Sequence, residues 1–419
     1  MIQRSIFNDI KNHLAAREIS LLVGPRQVGK TTLMQLLQKE LQTDGKLTLF
    51  LNMDYEPDSL YFLSQNNLMT KLNLEFGGHH GYVFIDEIQR KENAGIFLKG
   101  IYDQNMPFKF IVSGSGSLEL KEKIHESLAG RKRLFELFPV SFEEFIHYRT
   151  EYTYQDKLER YLEIEEESCE QYLKEYLSFG GYPRIITEPR QNEKRLLMDE
   201  IFRSYVERDI VYLLKIDRTE AFMNLVKLLS IQIGQIIRYS TLSAHLGISL
   251  QTLKKYLWYL EKTFIIKRIT PFYKNYKKEI VKSPQIYFND LGLRNFALGK
   301  FGYLETLYDQ GFLFQNFIFN ILFEKLRQQN AVLHFWRTTD QTEVDMVIEG
   351  PDGLLPIEVK CINLKQKTVK RSLRSFIDRY GPIRAWVINL SLNATMMIND
   401  TQVQFLPYYK LLDKNFNII

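Results

Sequence analysis

The chain has 419 residues, too many for one ordinary hydrophobic core, so we expect about two to four domains. Its 45% hydrophobic and 25% charged residues, with a net charge of +5, are typical of a globular protein, and its two cysteines, Cys169 and Cys361, suggest neither a disulfide framework nor a zinc site. We find no apolar run of the roughly 18 residues that a membrane span needs and no signal-peptide core, so we expect a cytoplasmic protein with no membrane partner.

A phosphate-binding loop is predicted near the N-terminus, between an apolar strand at Ile19–Val23 and a helical pattern that begins at Thr32. Residues 24–31 follow the pattern G-x-x-x-x-G-K-T, in which backbone N–H groups turn inward around an anion. Lys30 would meet the terminal phosphates of ATP, and the Thr31 hydroxyl would bind Mg²⁺. The alternative is an ordinary glycine turn that caps a helix. The expected nucleotide contacts here are Gly24, Pro25, Arg26, Gln27, Val28, Gly29, Lys30, Thr31 and Thr32.

Two acidic residues follow an apolar strand farther along the chain. After a second strand at Leu47–Asn52, the segment Tyr82–Glu87 reads as a strand that ends in Asp86 and Glu87. Behind a phosphate loop, Asp86 would hold Mg²⁺, mostly through water, and Glu87 would polarise the water that attacks the γ-phosphate. Strands often end in acidic residues, so the pair alone does not indicate an ATPase site. It does so only in combination with the phosphate loop that precedes it.

A further strand, Phe110–Ser113, runs into small polar residues. Ligands of open parallel sheets lie at the carboxyl ends of the strands, so Ser113 and Ser115 are candidates to touch the γ-phosphate or the water. A simple small-residue turn is the alternative. Alternating strands and helices over residues 1–145 predict an α/β fold with a doubly wound parallel sheet.

Five segments together resemble one protein family: GPRQVGKTT, VFIDEIQ, IVSGSGSLEL, ESLAGRKRLFELFPVSFEEF and YLSFGGYPRII. They are similar to the prokaryotic AAA+ type P-loop ATPases that carry a winged helix and an uncharacterised C-terminal domain of the restriction-endonuclease-like fold. The resemblance runs nearly end to end. It implies phosphate-sensing arginines at Arg131 or Arg184, with Arg26 and Arg208 as further candidates. Each could equally form an ion pair.

A helix-turn-helix pattern follows a charged helical stretch that would form the lid of the ATPase. Tyr239–Ile248 reads as a helix ended by glycine, and Ser249 can cap a second helix through Leu260. The segments Phe264–Thr270 and Ile286–Phe288 would supply a wing. Many winged helices bind DNA, and many others only dock domains. The second helix should bury Leu250, Leu253, Leu257 and Leu260, and should leave Gln251, Thr252, Lys254, Lys255 and Tyr259 on its other faces.

The last region predicts a separate α/β unit with a charged site. After a helix at Phe312–Leu326, the expected strands are Val332–Arg337, Glu343–Ile348 and Leu355–Lys360. Glu358 and Lys360 share one side of their strand, where Asp345 of the neighbouring strand can meet them. Two carboxylates and a lysine can hold Mg²⁺ and orient a water for phosphodiester attack, and this is the D…ExK arrangement of the restriction-endonuclease-like fold. Alternating charges on an edge strand are the structural alternative.

One position departs from the pattern that the resemblance implies. The family should carry a glutamate on the preceding helix, where this chain has Gln315, and an amide binds a divalent cation less well than a carboxylate does. Glu343 or Glu324 would have to supply the missing charge for catalysis. A basic helix over Lys365–Arg379 could lie along a phosphate backbone, and Lys262–Lys282 is also basic, with Glu279 as its one acidic residue.

These patterns lead to three hypotheses about function. The first is Mg²⁺-dependent ATP hydrolysis coupled to a DNA-directed C-terminal half, the second is an ATP-regulated DNA nuclease, and the third is a nucleotide-switched regulator or scaffold without catalysis on DNA. The expected units are an ATPase core at 1–150, a helical lid at 151–215, a winged helix at 216–295 and a nuclease-like domain at 296–419. The partners would be ATP, DNA and further copies of the chain, since a phosphate-sensing arginine can act in trans.

Overall fold

The computed structural model describes residues 1–115, 127–206, 218–273, 283–304, 307–327, 329–338, 340–413, 416 and 418. Within them, the helices α1 to α16 are Ile6–Asn12, Lys30–Thr43, Glu56–Ser59, Gln65–Phe76, Ala94–Asp103, Phe142–Arg149, Leu158–Ile164, Glu166–Phe179, Pro183–Thr187, Gln191–Phe202, Thr219–Ile231, Tyr239–Leu246, Leu250–Lys262, Leu291–Ala297, Leu307–Leu326 and Arg371–Tyr380. The strands β1 to β13 are Ile19–Gly24, Thr48–Asn52, Gly81–Asp86, Phe108–Ser115, Lys132–Glu136, Ile266–Ile269, Gln285–Phe288, Val332–Arg337, Glu343–Gly350, Gly353–Val359, Arg384–Asn389, Ala394–Ile398 and Thr401–Pro407.

The N-terminal part is an α/β unit around a five-stranded parallel sheet in the order β2-β3-β4-β1-β5. Every residue of β1 and β4 is buried, as expected for central strands of a parallel sheet that is covered on both faces. The four strands predicted in this part are present, and β4 is longer than expected. The carboxyl ends of β1, β3 and β4 meet at one edge, where Gly24 is paired with Ser115. The predicted site residues on these strands therefore lie at one edge of the sheet.

Three helix termini that follow the sheet have capping residues that their sequences favour. Ser141 and Glu144 form a reciprocal capping box at the start of α6. Helix α12 ends at Gly247, which has a φ of 61°, and the Ser249 hydroxyl accepts a hydrogen bond from the Thr252 N–H at 3.1 Å to start α13. The predicted caps at Gly247 and Ser249 are therefore confirmed, and the capping box at Ser141 is an addition to them.

The buried face of α13 differs from the prediction at two positions. Leu253, Leu257 and Leu260 are buried, but Leu250 is 49% exposed because it lies in the first turn of the helix. Tyr259, which we placed on an outer face, is buried instead. The strands β6 and β7 then pair antiparallel, and residues 274–282 of the basic segment between them lie outside the described residues.

The C-terminal part contains a mixed six-stranded sheet in the order β12-β13-β11-β10-β9-β8. Strands β8, β9 and β10 form an antiparallel meander, and β10 then pairs parallel with β11 after the α16 crossover. The predicted basic helix over Lys365–Arg379 begins later than expected, because regular helix starts only at Arg371. Its buried residues Leu373, Phe376 and Ile377 face the sheet, and Arg371 and Arg374 are exposed.

The parts of the chain are joined by a shared hydrophobic core. One cluster of buried residues runs from Leu22 and Val28 of the N-terminal unit to Phe317 of α15 and Tyr408 near the C-terminus. At its centre, the rings of Phe142 and Phe317 meet edge to face with centroids 5.0 Å apart. None of the helices in this described part of the chain is long and apolar enough to cross a lipid bilayer.

Candidate functional site

The loop between β1 and α2 turns through two residues with positive φ. Gly29 has a φ of 96° and Gln27 a φ of 60°, so the chain turns sharply before α2 begins at Lys30. Gly24 is required by packing, because a Cβ there would lie 2.1 Å from the Leu137 carbonyl oxygen. The Lys30 ammonium group is buried and donates to the carbonyls of Gly24 at 3.1 Å and Pro25 at 2.7 Å, so it folds back across the loop. Val28 is buried beneath the loop, Pro25 is buried, Arg26 is partly buried, and Thr32 is exposed.

A hydroxyl and a carboxylate lie together beside this loop. The Thr31 Oγ1 donates to Asp86 Oδ2 at 2.7 Å, and the Ser113 hydroxyl donates to the other carboxylate oxygen. Asp86 is 1% exposed. Thr31 and Asp86 are hard oxygen donors of the kind that Mg²⁺ takes when phosphate and water oxygens complete its coordination. The residues therefore fit a Mg²⁺ ion that arrives with a nucleotide.

Glu87 lies next to this pair at the end of β3. Its φ of 58° puts it in the left-handed region, and its backbone N–H donates to the Ser113 hydroxyl at 3.2 Å. Its side-chain carboxylate accepts a hydrogen bond from the Gln89 amide, whose oxygen accepts the Ser115 N–H at 3.1 Å. The predicted residues Asp86, Glu87, Ser113 and Ser115 are thus brought together. Gln89 is the last residue of the VFIDEIQ segment, but sequence reasoning gave it no role, since a glutamine two positions after an acid carries no signal by itself.

The predicted arginines separate into two groups. Arg184 donates to the Gln27 side chain of the phosphate loop at 3.2 Å and pairs with Glu200 at 3.0 Å, so it lies at the candidate site. Arg131 precedes β5 at the opposite edge of the sheet, where it pairs with Asp103 at 2.7 Å. The length of β1, roughly 16 Å, separates that edge from the loop. Arg131 therefore cannot touch a nucleotide at this loop within the same chain, and Arg208 lies outside the described residues.

Arg4 is a second residue that sequence reasoning missed. Its guanidinium donates to the Val28 carbonyl at 2.9 Å, to the Phe138 carbonyl at 2.7 Å and to the Glu144 carboxylate at 2.9 Å. It fastens the phosphate loop to the start of α6. The contact joins residues up to 140 positions apart, so no local pattern indicates it.

The second candidate site lies on β9 and β10. The antiparallel register pairs Ile357 with Met346, which puts Glu358 opposite Asp345. Asp345 accepts the Val359 N–H at 2.7 Å, and burial raises its pKa to about 6. The ammonium groups of Lys370 and Lys360 lie 3.2 and 3.5 Å from Glu358, which is 2% exposed. The three predicted residues are brought together, with Lys370 as an addition that the sequence did not indicate.

Of the two acids expected to supply the missing charge, Glu343 lies near this site, where its charge acts on Asp345 and Lys370, and Glu324 does not. Gln315 donates to the Tyr287 hydroxyl at 2.9 Å. Glu343 is held by Gln285 at 2.8 Å and Arg337 at 3.1 Å. Glu324 lines cavities together with Glu144 and Arg4 beside the N-terminal unit, so the suggestion that it completes the site was wrong. Among the described residues, no group of three or more His, Cys, Asp or Glu side chains could hold a metal ion by itself.

Comparisons with known proteins divide the chain into three matched regions. Residues 16–146 match the family model described as an AAA domain. Residues 170–303 and 310–411 match two domains of unknown function, DUF8612 and DUF4143. The first match agrees with the phosphate loop and parallel sheet, and supports nucleotide binding in general terms.

The chain is also similar over most of its length to proteins that are themselves uncharacterised. It is 26% identical to the uncharacterized protein MJ1544 of Methanocaldococcus jannaschii over 92% of this chain and 84% of the relative. It is 26% identical to the uncharacterized protein Rv2008c of Mycobacterium tuberculosis over 87% of this chain and 75% of the relative. An uncharacterized protein of Haemophilus influenzae is 23% identical over 81% and 82% of the two chains. The similarity to each of these relatives therefore extends over most of both chains.

Proposed function

We propose that this chain binds and hydrolyses ATP with Mg²⁺ at the carboxyl edge of the parallel sheet, and that hydrolysis is coupled to a DNA-directed C-terminal half. Lys30 contacts the β- and γ-phosphates, Thr31 and Asp86 hold the metal, and Glu87 takes the proton of the attacking water. The water oxygen bonds to the γ-phosphorus as the bond to the ADP oxygen breaks. Mg²⁺ supplies positive charge that offsets the charge on the phosphate oxygens.

The contact between Thr31 and Asp86 carries this proposal. Its 2.7 Å hydrogen bond joins the phosphate loop to β3 and puts two metal-type oxygens beside the loop N–H groups. A turn that merely caps a helix needs no buried carboxylate at that point. The AAA match over residues 16–146 supports the same conclusion independently.

Coupling to the C-terminal half is supported by a chain of contacts that begins at the phosphate loop. Gln27 of the loop contacts Arg184 at 3.2 Å. Just before Arg184, the Gly181 N–H donates to the buried Asp290 carboxylate at 2.7 Å. Gly180 packs so closely on Asp290 that a Cβ would lie 2.5 Å from its carboxylate oxygen. Asp290 begins α14 directly after β7, so motion of the lid segment 180–184 would reach the C-terminal half.

We divide the chain into the four units at 1–150, 151–215, 216–295 and 296–419 and interpret the third as a winged helix. The order α11, α12, α13, β6, β7 supports this interpretation, and the bridge between Ile236 and Gln285 adds the short first strand of such a unit. Gln251, Lys254 and Lys255 are exposed on α13, where they could contact DNA. Affinity that falls steeply with salt would indicate contacts to phosphates.

The test of the ATPase proposal is hydrolysis of ATP by the purified full chain with Mg²⁺. The Lys30→Ala variant should lose turnover and bind ATP more weakly, because it removes the positive charge at the terminal phosphates. Lys39→Ala, on the exposed side of the same helix, is the matched control and should keep wild-type activity. Hydrolysis at the wild-type rate by Lys30→Ala would contradict the assignment. A specific activity that rises with protein concentration would indicate a homo-oligomer.

A DNA nuclease regulated by ATP is the second candidate, favoured by the environment of Glu358. Neither of its buried carboxylate oxygens receives a well-oriented hydrogen bond from the described residues, and its charge is offset by the Lys370 and Lys360 ammonium groups at 3.2 and 3.5 Å. A buried carboxylate without hydrogen bonds is costly unless a cation or ligand group satisfies it. The succession of α15, the β8-β9-β10 meander, α16 and the parallel strand β11 supports the restriction-endonuclease-like interpretation.

The nuclease candidate is tested on supercoiled and linear DNA with Mg²⁺ or Mn²⁺, in the presence and absence of ATP. Cleavage should disappear in Glu358→Ala and persist in Asp352→Ala, which changes an exposed acid in the turn between β9 and β10. Cleavage that survives Glu358→Ala comes from a contaminant. If the wild type binds DNA but never cuts it, the neutral Gln315 has left the site without enough charge, and the C-terminal half acts as a regulator or scaffold.

A further inference from the structure

Gln89 links the predicted catalytic acid to the strand beside the phosphate loop. Its side-chain amide N–H donates to Glu87 Oε2, and its side-chain oxygen accepts the Ser115 N–H at 3.1 Å. Ser115 ends β4 and is paired in register with Gly24, the first residue of the phosphate loop. The two hydrogen bonds therefore connect the Glu87 carboxylate to the start of the loop.

The backbone around Gln89 holds this link in place. Glu87 lies in the left-handed region with a φ of 58°, and a single turn of 3-10 helix, Ile88–Arg90, follows it. The Ile88 side chain is fully buried, which fixes the turn between the two linked residues. Glu87 and Gln89 themselves are partly buried, so the carboxylate is close to solvent and to the loop. Without a partner, such a side chain would sample several rotamers.

An amide is the side chain that satisfies both ends of this link. The Glu87 carboxylate needs a donor and the Ser115 N–H needs an acceptor, and glutamine offers one of each. A glutamate at position 89 would keep the acceptor for Ser115 but would turn a second carboxylate toward Glu87. A leucine would offer neither group.

We propose that Gln89 is a positioning residue for ATP hydrolysis, which fixes the Glu87 carboxylate toward the water that attacks the γ-phosphate. This inference rests on the proposed ATPase function. The hydrogen bond to Oε2 leaves Oε1 to accept the proton of the water, while Gln89 keeps its own protons throughout. Because the same side chain holds the end of β4, a nucleotide that shifts Ser115 also shifts Glu87.

The role makes a distinct kinetic prediction. Gln89→Leu and Gln89→Glu should lower kcat by about 10- to 100-fold, the order of loss expected when a reacting group is misplaced by about 1 Å. KM and the affinity for a non-hydrolysable ATP analogue should change less than about threefold, since Gln89 does not contact the phosphate loop lysine. Gln104→Glu adds the same charge at an exposed position in the N-terminal unit and should leave both parameters unchanged.

The measurement is steady-state hydrolysis and analogue binding for the wild type and the three variants, with thermal unfolding as a check on folding. A selective fall in kcat at unchanged melting temperature supports the inference. Wild-type kcat in both Gln89 variants, or a loss of analogue affinity as large as the loss of kcat, overturns it. If Gln89→Leu unfolds, Gln89→Glu decides the matter, because it keeps the Ser115 bond. A wild type that does not hydrolyse ATP would instead overturn the proposed function itself.

Discussion

Replacing Asp290 by asparagine should change how the stability of the protein depends on pH. The Asp290 carboxylate is buried between Gly181 and Leu293, whose N–H groups each donate to it at 2.7 Å. Burial raises its pKa from 3.8 to about 6, although these backbone hydrogen bonds lower it in part. Asparagine has nearly the same size as aspartate, but it carries no charge and offers one acceptor oxygen instead of two. The contact between the lid segment and α14 is therefore retained, but its side chain at position 290 no longer titrates.

The sign follows from the direction of the pKa shift. Because the folded-state pKa is the higher one, the native state binds the proton more tightly than the unfolded state does. The stabilisation of the folded state by protonation of Asp290 is complete below the pKa of the unfolded chain, 3.8, and is lost as the pH rises through about 6. At pH 5 it contributes about 1.4 kcal/mol, and at pH 8 it contributes about zero.

The lost hydrogen bond lowers the free energy of unfolding of Asp290→Asn by about 1 to 3 kcal/mol at either pH. The change in the wild-type-minus-variant difference between pH 8 and pH 5 therefore reports the titration of Asp290 alone. Urea unfolding can be followed by tryptophan fluorescence, since Trp258, Trp336 and Trp386 all lie beyond residue 216. The wild type should gain about 1.4 kcal/mol over the variant on going from pH 8 to pH 5. Asp352→Asn, an exposed control, should show no such gain. A difference that is independent of pH, or of opposite sign, would refute the reasoning.

Three further substitutions test other contacts. Gly24→Ala should abolish ATP binding or folding, because its Cβ would lie 2.1 Å from the Leu137 carbonyl oxygen; equilibrium ATP binding and thermal unfolding measure this, and a normal variant would disprove the packing argument. In steady-state hydrolysis, Arg184→Ala should lower kcat/KM for ATP while Arg131→Ala stays within about twofold of the wild type; an equal loss in both variants would contradict the placement of the two arginines. Lys370→Ala should weaken DNA binding and reduce the slope of log affinity against log salt concentration by about one. An unchanged slope would show that Lys370 does not contact a DNA phosphate.

The sequence predicted those parts of the sites that short stretches of chain define. The phosphate loop depends on eight consecutive residues, and Asp86 and Glu87 on the end of one strand. Alternation along β10 was enough to put Glu358 and Lys360 on one side, and pairing with β9 brought Asp345 to them. In each case the determining interaction lies within one element or between adjacent strands.

Most of the residues that the sequence analysis missed act through contacts between segments that are distant in the sequence. Arg4, Gln89 and Lys370 act through contacts between segments that no local pattern connects, such as Arg4 with Glu144. Arg131 forms an ion pair with Asp103, which was the alternative to phosphate sensing. Because no strand was predicted at Lys132–Glu136, the sequence did not show that Arg131 lies at the amino edge of the sheet. Leu250 has a helical apolar spacing but lies in the first turn, where solvent reaches it.

Hydrolysis of ATP by Glu87→Gln, measured beside its affinity for ATP, tests the central claim most directly. The substitution keeps the size of the side chain but removes the group that takes the proton from water. The account predicts that kcat falls by about 10²- to 10⁴-fold, the usual contribution of a general base, while Mg²⁺-dependent ATP binding is retained. Wild-type turnover in Glu87→Gln, or a wild type that neither binds nor hydrolyses ATP, would contradict it.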